Sequence, residues 1–218
     1  MNADSSGNGN TAISTSGTIT EGFSGPISSE GSSSKAVYVD NVSLPTPSYW
    51  QFDGDGTTLD VVNTFSIEAW IKKTRNGVTE AIMAKVATDG PQLGITAANR
   101  LQLKQSNASA IVDSTVTIAD TNWHHVVATK SGATSKLYVD RTDVTGTVTD
   151  FTFTNTTGDW FMGCAGGDVN WQADMYMAEV AIYSTALSAD RVMAHFNAGL
   201  ELFATPPHRP IRSRGTSW

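Results

Sequence analysis

The chain has 218 residues, of which 39% are hydrophobic and only 16% charged, with 14 basic against 21 acidic side chains. No apolar run approaches the roughly 18 to 20 residues that span a bilayer, and the single cysteine, Cys164, cannot form an internal disulfide, so a helical membrane protein and a disulfide-stapled scaffold are both excluded. A net charge of −7 argues against nucleic acid as a partner, because phosphate binding needs a basic face.

The length suits one large domain, and an all-β sandwich can use all of it. The polar character comes from 28 Thr and 22 Ser rather than from charge, and β-branched Thr favours a pleated surface. Met1–Ser6 opens without a basic segment or an apolar core, so no secretory signal is expected. Three Asn-x-Ser/Thr triplets, at Asn41, Asn107 and Asn155, are read as chance occurrences in a Thr-rich chain.

Residues 1–34 are nearly all Gly, Ser, Thr and Asn, with Ile13, Ile19, Phe23 and Ile27 as sparse apolar anchors, and by composition they read as a low-complexity arm. Short alternating runs then follow one another between turn residues. Ala36–Val42, Tyr49–Phe52, Phe65–Lys72, Glu80–Val86, Gln92–Thr96 and Arg100–Lys104 are the first six. Ala110–Ile118, Trp123–Thr129, Lys136–Asp140, Asp159–Gly163 and Met175–Tyr183 complete the set. Strands this short, with no helices between them, predict an antiparallel sandwich or barrel. In Phe65–Lys72, alternation sends Phe65, Ile67, Ala69 and Ile71 to one side and Trp70 to the other.

One helix is expected, over Leu187–Gly199. Ser188 is its N-cap, Leu187 and Val192 form a hydrophobic staple, and Gly199 supplies a left-handed stop. Val192, Phe196 and Leu200 lie about a turn apart and would pin it to the sandwich. After a domain of residues 1–203 comes a segment of different composition, 204–218. It holds three prolines, no acid, a terminal aromatic and the arginines Arg209, Arg212 and Arg214. It reads either as a solvated tail or as an arm that lays Arg209, Arg212, Arg214 and Trp218 on a neighbouring subunit. The rest of the chain carries −10 and this segment +3, so a second copy is one plausible acceptor.

Four runs resemble words of the laminin G-like, concanavalin A-like lectin/glucanase domains. Phe65-Ser66-Ile67-Glu68-Ala69-Trp70-Ile71-Lys72 is similar to their "sf-T-v-E-a-W-v-k" strand, and Trp123-His124-His125-Val126-Val127-Ala128-Thr129 to "W-h-h-v-a-a-t". Lys136-Leu137-Tyr138-Val139-Asp140 is similar to "l-Y-v-D-G", with Arg141 in place of the Gly. Glu179–Ser188 is similar to the family's last strand, which runs into the short helix. The opening Asp4-Ser5-Ser6-Gly7-Asn8-Gly9-Asn10 and Phe52-Asp53-Gly54 also fit the family's first strand entry and early hairpin, so together the words cover about residues 4 to 200 in order. The resemblance implies an all-β jelly roll of two antiparallel sheets with one short C-terminal helix and an extended tail. It also reassigns residues 1–34 to the domain's first strands.

A glycosidase needs two carboxylates roughly 5 to 9.5 Å apart. The six Glu of this chain (21, 30, 68, 80, 179, 201) never fall at i, i+2 or i+4 on one strand, so no catalytic residue is assigned. Neighbouring His124 and His125 on a strand face opposite ways and cannot share a metal. Cys164 reads as a small buried thiol. Many relatives of this type bind calcium, and Asp53, Asp55 and Asp168 are the hard-oxygen candidates. However, Ala178 and Met175 stand where the family keeps an acid and a Gly, so no cofactor is expected. For carbohydrate, the candidate set is Asp168, Asn170, Trp171, Gln172 and Asp174 in a glycine-hinged loop, with Trp160 and the Tyr49-Trp50 pair in support.

The expected function is a non-enzymatic virion subunit of a bacteriophage: a capsid decoration, fibre or tail component with a lectin-like domain on the particle surface. Its partners would be other virion proteins, copies of itself and surface glycans, with no nucleic acid and no membrane. The alternative is a carbohydrate-binding module of an extracellular bacterial protein.

Overall fold

The computed structural model describes residues 9–29, 32–41, 47–53, 59–86, 90–105, 110–153, 158–166 and 171–201. The strands are β1 (Ala12–Ser16), β2 (Thr18–Ser29), β3 (Ser32–Asp40), β4 (Tyr49–Phe52), β5 (Thr64–Lys73), β6 (Glu80–Lys85) and β7 (Pro91–Ile95). They continue as β8 (Arg100–Gln105), β9 (Ala110–Thr117), β10 (Trp123–Ser131), β11 (Thr134–Val139), β12 (Thr142–Asp143), β13 (Trp160–Met162) and β14 (Met175–Tyr183). One helix among the described residues, α1 (Ala189–Glu201), follows β14.

The strands form two seven-stranded sheets. Sheet A runs β1-β4-β13-β6-β7-β8-β9, and sheet B runs β12-β11-β10-β5-β14-β3-β2. Each named pairing within them is antiparallel. The expected sandwich and terminal helix are both present. The Ser/Thr-rich start of the chain is not an arm: β1 pairs with β4 in sheet A, and β2 closes the edge of sheet B against β3.

Alternation decides what lies between the sheets. Phe65, Ile67, Ala69 and Ile71 of β5 meet Trp50, Trp160, Leu93, Ile95, Leu101 and Leu103 of sheet A in one buried cluster. Trp70 points the other way, into a second cluster with Ala36, Ala178 and Phe196. Burying an aromatic side chain of this size contributes about 1.5 to 3 kcal/mol, so the core needs no covalent staple. Cys164 is buried and forms no disulfide, as expected.

Helix α1 is packed on the outside of sheet B. Ser188 Oγ accepts the Arg191 N–H at 3.3 Å, the N-cap bond the sequence predicts. Leu187 packs beside Val192 over Val127 and Tyr138, which is the staple. The strand-to-helix turn is held by Ser66, whose Oγ donates to Thr185 O and accepts from the Leu187 N–H, each at 2.8 Å.

Two expectations about α1 are corrected. Gly199 does not stop the helix, which runs on to Glu201. Its role is steric: a Cβ there would lie 2.5 Å from Trp70 Cζ2, so the missing side chain lets the helix sit on the indole. Leu200 is 40% exposed and pins nothing, so Val192 and Phe196 carry the packing.

The Asn41 triplet is closed to modification. Its side chain is buried, donates to Ala173 O at 2.6 Å and faces Ser48 O and Gly163 O, while Oδ1 accepts the Ser48 N–H. Asn107 and Asn155 lie outside the described residues.

Candidate functional site

On the outside of sheet A, the residues that alternate with the core line up across the strands. Leu93, Leu103, Met83, Trp160 and Trp50 point inward. Their neighbours form a cross-strand row: Gln51 of β4 pairs with Phe161 of β13, Phe161 with Ala84, Ala84 with Gln92, and Gln92 with Lys104. Tyr49 stands edge-on to Phe161, with ring centroids 5.2 Å apart, so this row carries two aromatic rings. Gln51 Nε2 donates to Asp159 at 2.6 Å, and Gln102 Nε2, on the same face of β8, donates to Asp113 at 2.7 Å.

Trp171 joins this face from the segment before β14. The Ala81 N–H donates to Trp171 O at 3.3 Å, and the Lys104 ammonium lies 4.3 Å from the centre of the indole. That cation–π contact braces a half-exposed ring with about 0.5 to 1 kcal/mol. Upstream, Gly166 has φ +64, and a Cβ there would come 2.5 Å from Val86 Cγ2, so the turn toward Trp171 requires glycine.

One atom of the row stands out. Gln92 is 2% exposed, and its Nε2 has no hydrogen-bond partner among the described residues. A buried amide N–H left unpaired costs about 1 to 3 kcal/mol. Its side chain lies beside Lys104, on the face of β7 turned away from the core.

The outside of sheet B is built differently, and α1 covers it. Glu68 is buried there and takes a bond from His125 Nε2 at 2.6 Å and one from Tyr183 Oη at 2.8 Å, with His195 Nδ1 of α1 at 3.0 Å. Burial pushes the Glu68 carboxyl up, but the bonds from His125 and Tyr183 outweigh it and hold it below the ordinary carboxylate value. His124, on the opposite face of β10 from His125, sits between Asp140 at 2.7 Å and Asp120 at 3.1 Å. The Asp140 bond raises its affinity for a proton.

Both Glu68 oxygens are thus engaged beneath the helix. Glu179 is exposed on a bulge of β14 at φ +49.

The predicted site residues part company. Trp171 and Gln172 are half-exposed on the sheet A side, and Gln172 O accepts from Arg75 Nη2 at 2.8 Å. Trp160 is corrected to a core residue: it is fully buried, with Nε1 donating to Leu59 O at 2.9 Å, because its strand position faces inward. Trp50 of the supporting pair is buried with it.

Asp174 is likewise corrected to a buried structural acid. It accepts from Tyr38 Oη at 2.5 Å and lies 2.8 Å from Thr74 Oγ1, and its N–H donates to Glu80 at 2.8 Å. Asp53 is exposed at the end of β4. Asp55, Asp168, Asn170, Arg209, Arg212, Arg214 and Trp218 lie outside the described residues. Among the described residues no group of three His, Cys, Asp or Glu side chains is placed to hold a metal ion.

Sequence reasoning missed Gln92, Lys104, Phe161 and Gln51. The alternation that points them outward was visible on each strand, but the register that aligns them was not.

Residues 40–193 match the family model described as the concanavalin A-like lectin/glucanases superfamily, laminin G type. No curated protein matches the chain by sequence. Among solved structures, the heptameric SAP-like pentraxin of Limulus polyphemus is 15% identical over 72% of this chain and 79% of its own, with a TM-score of 0.58. Domain 4 of the extracellular arabinanase AbnA of Geobacillus stearothermophilus, solved with arabinotriose, is 17% identical over 88% of this chain and 91% of that one, at TM-score 0.56. The binding domain of Paraclostridial Mosquitocidal Protein 1 is 16% identical over 90% of this chain, at TM-score 0.68, and this chain spans 49% of its length. The chain belongs to the concanavalin A-like lectin/glucanases superfamily, and it has that superfamily's lectin-like jelly-roll fold.

Proposed function

We propose that this chain is a non-catalytic glycan-binding module whose ligand lies on the outer face of sheet A. The observation that carries the reading is the unpaired Gln92 Nε2, held in one cross-strand row with Lys104 beside the half-exposed Trp171 ring. A sugar presents apolar C–H faces and hydroxyl acceptors. The face offers the matching groups: the rings of Trp171, Phe161 and Tyr49, an amide donor and an ammonium. The structural relatives support this direction, since one of them was solved with a bound arabino-oligosaccharide.

A glycan array comparing the native chain with Trp171→Ala and Gln92→Leu tests the reading. The native chain binds a defined glycan set, and both variants lose it while remaining folded. Equal binding by all three removes this face as the site, and silence of the native chain removes the function.

A second reading sets the module on a particle surface as a virion decoration, fibre or tail component, with other virion proteins and copies of itself as partners. What favours it is the division of charge into a −10 body and a +3 segment over residues 204–218. Co-sedimentation with particles, lost when Arg209, Arg212 and Arg214 are changed together to Ser, is its expected outcome; unchanged sedimentation ends it.

A further inference from the structure

Three lysines are buried among the described residues, and two of them hold a carboxylate. Lys85 Nζ lies 2.8 Å from Asp60, and Lys130 Nζ lies 3.0 Å from Asp150. Lys73, at the end of β5, has no such partner among the described residues. Its Nζ donates instead to neutral oxygens: Asn76 Oδ1 at 2.9 Å, Asn99 Oδ1 at 2.7 Å and Ile118 O at 3.1 Å. A buried cation held only by neutral acceptors forgoes the attraction that would offset its lost hydration. Burial accordingly pushes the Lys73 amine toward its neutral form, against the pull of the Glu80 and Asp120 charges.

One of the two amides stands where it can become an acid. Asn76 is exposed and precedes Gly77 in the turn between β5 and β6. Gly77 has φ +76, with nothing within 4 Å of the place a Cβ would occupy. No side chain therefore shields its nitrogen, and its N–H makes a long bond of 3.3 Å to Asn99 Oδ1. Asn99 lacks this arrangement, because the bulky Arg100 follows it.

We propose that Asn76 deamidates spontaneously and that the carboxylate so formed is the counter-ion of buried Lys73. The Gly77 nitrogen attacks Asn76 Cγ and loses its proton to solvent as the new C–N bond forms. The Cγ–Nδ2 bond breaks, and the nitrogen takes up solvent protons and leaves as ammonia. Water then opens the cyclic imide: attack at Cγ restores the main chain with an aspartate side chain, and attack at the main-chain carbonyl gives isoaspartate. Water is the one co-reactant, and nothing is oxidised or reduced. The negative charge that builds on Oδ1 during the first attack is met by the Lys73 ammonium, already 2.9 Å away. The conversion gives up the bond from Asn76 Nδ2 to Ala119 O at 2.8 Å, a neutral bond at an exposed position. In return a buried cation gains a charged acceptor, which is the stronger of the two bonds.

The test begins with the native chain kept warm at mildly alkaline pH and read by peptide mass spectrometry. Residue 76 becomes heavier by the difference between an acid and an amide. In urea, Asn76→Asp has a folding constant about tenfold larger than the native chain, the difference between a charged and a neutral hydrogen bond. Its new carboxyl titrates below the ordinary aspartate value of about 3.9. In a Lys73→Met background the same substitution brings no gain. The proposal is overturned if residue 76 is still an amide after a peptide of the same turn sequence has converted. It is overturned equally if Asn76→Asp brings no gain, or if the gain persists with Lys73→Met. Should Lys73→Met not fold, the carboxyl titration decides, and a value at or above the ordinary one overturns the pairing.

Discussion

Across sheet A the outward row reads Gln51, Phe161, Ala84, Gln92, Lys104; across sheet B, one row under the helix reads Ala178, Trp70, His125. Both rows come from the same strand alternation on two faces of one sandwich. On sheet B the buried carboxylate is matched internally: Glu68 holds two imidazoles and a phenol, and Trp70 is covered by Phe196 with ring centroids 5.6 Å apart, while His125 Nδ1 and Ser135 Oγ are buried without a hydrogen-bond partner among the described residues. On sheet A a donor is left unmatched. The contrast teaches that burial alone does not mark a functional group. The two faces differ in what borders them: α1 lies over the sheet B row, and the half-exposed Trp171 ring and Lys104 border the sheet A row.

Breaking the closed face has the largest expected effect. Glu68→Ala strands His125 and Tyr183 without their acceptor and costs about 3 kcal/mol in a urea melt, as for a broken buried pair. A loss under half of that means the helix is held by its apolar contacts alone. Gly199→Val comes next: it drives methyl groups into Trp70 and costs about 1 to 3 kcal/mol, with faster hydrogen exchange in α1 than in β5. Equal acceleration in both elements contradicts a helix that is a separable cover.

A smaller effect is a matter of pH. The raised affinity of folded His124 for a proton stabilises the fold below its ordinary value of 6.5, and this is lost as the pH rises through the raised folded value. Glu68 behaves in the opposite sense: its lowered value stabilises the fold above the ordinary 4.5 and is lost on acidification. The melting-temperature gap between the native chain and His124→Gln therefore closes on the alkaline side. A gap independent of pH contradicts the Asp140 pairing as its source.

The smallest effect belongs to the open face. Gln92→Leu removes an unmatched donor from a buried position and changes stability by less than about 0.5 kcal/mol, or raises it, while abolishing glycan binding. A clear loss of stability would show that Gln92 has a structural partner after all.

Much of this architecture was readable from residues. Tyr49–Phe52 is the strand that the alternation marks, and Phe65–Lys72 extends by one residue at each end. The first strands were harder: between Ala12 and Ser29, few side chains are apolar, and β2 is held by pairing with β3 rather than by its own hydrophobicity. The end of α1 was misjudged because a glycine near a helix end signals a stop, whereas here Trp70 demands the space.

The candidate site was legible only in part. Trp171 announced itself by composition. Trp160 and Asp174 did too, but burial turned them inward. Gln92 meets Lys104 through the β7–β8 register and Ala84 through a β6–β7 register that shifts between Ala81 and Met83, and no local pattern encodes either pairing.

The buried Asn41 amide has a consequence for how the molecule comes apart. It joins the end of β3 in sheet B to the entry of β4 and to the segments at Gly163 and Ala173, which flank β13 and β14. Two regions of the chain, separated by 122 and 132 residues at these bonds, thus share one side chain. Opening either one breaks the other's bonds, so the two sheets should exchange their slowest amides at a common rate, as a single cooperative unit. In Asn41→Ala the slowest-exchanging amides of sheet A and sheet B then separate into two classes.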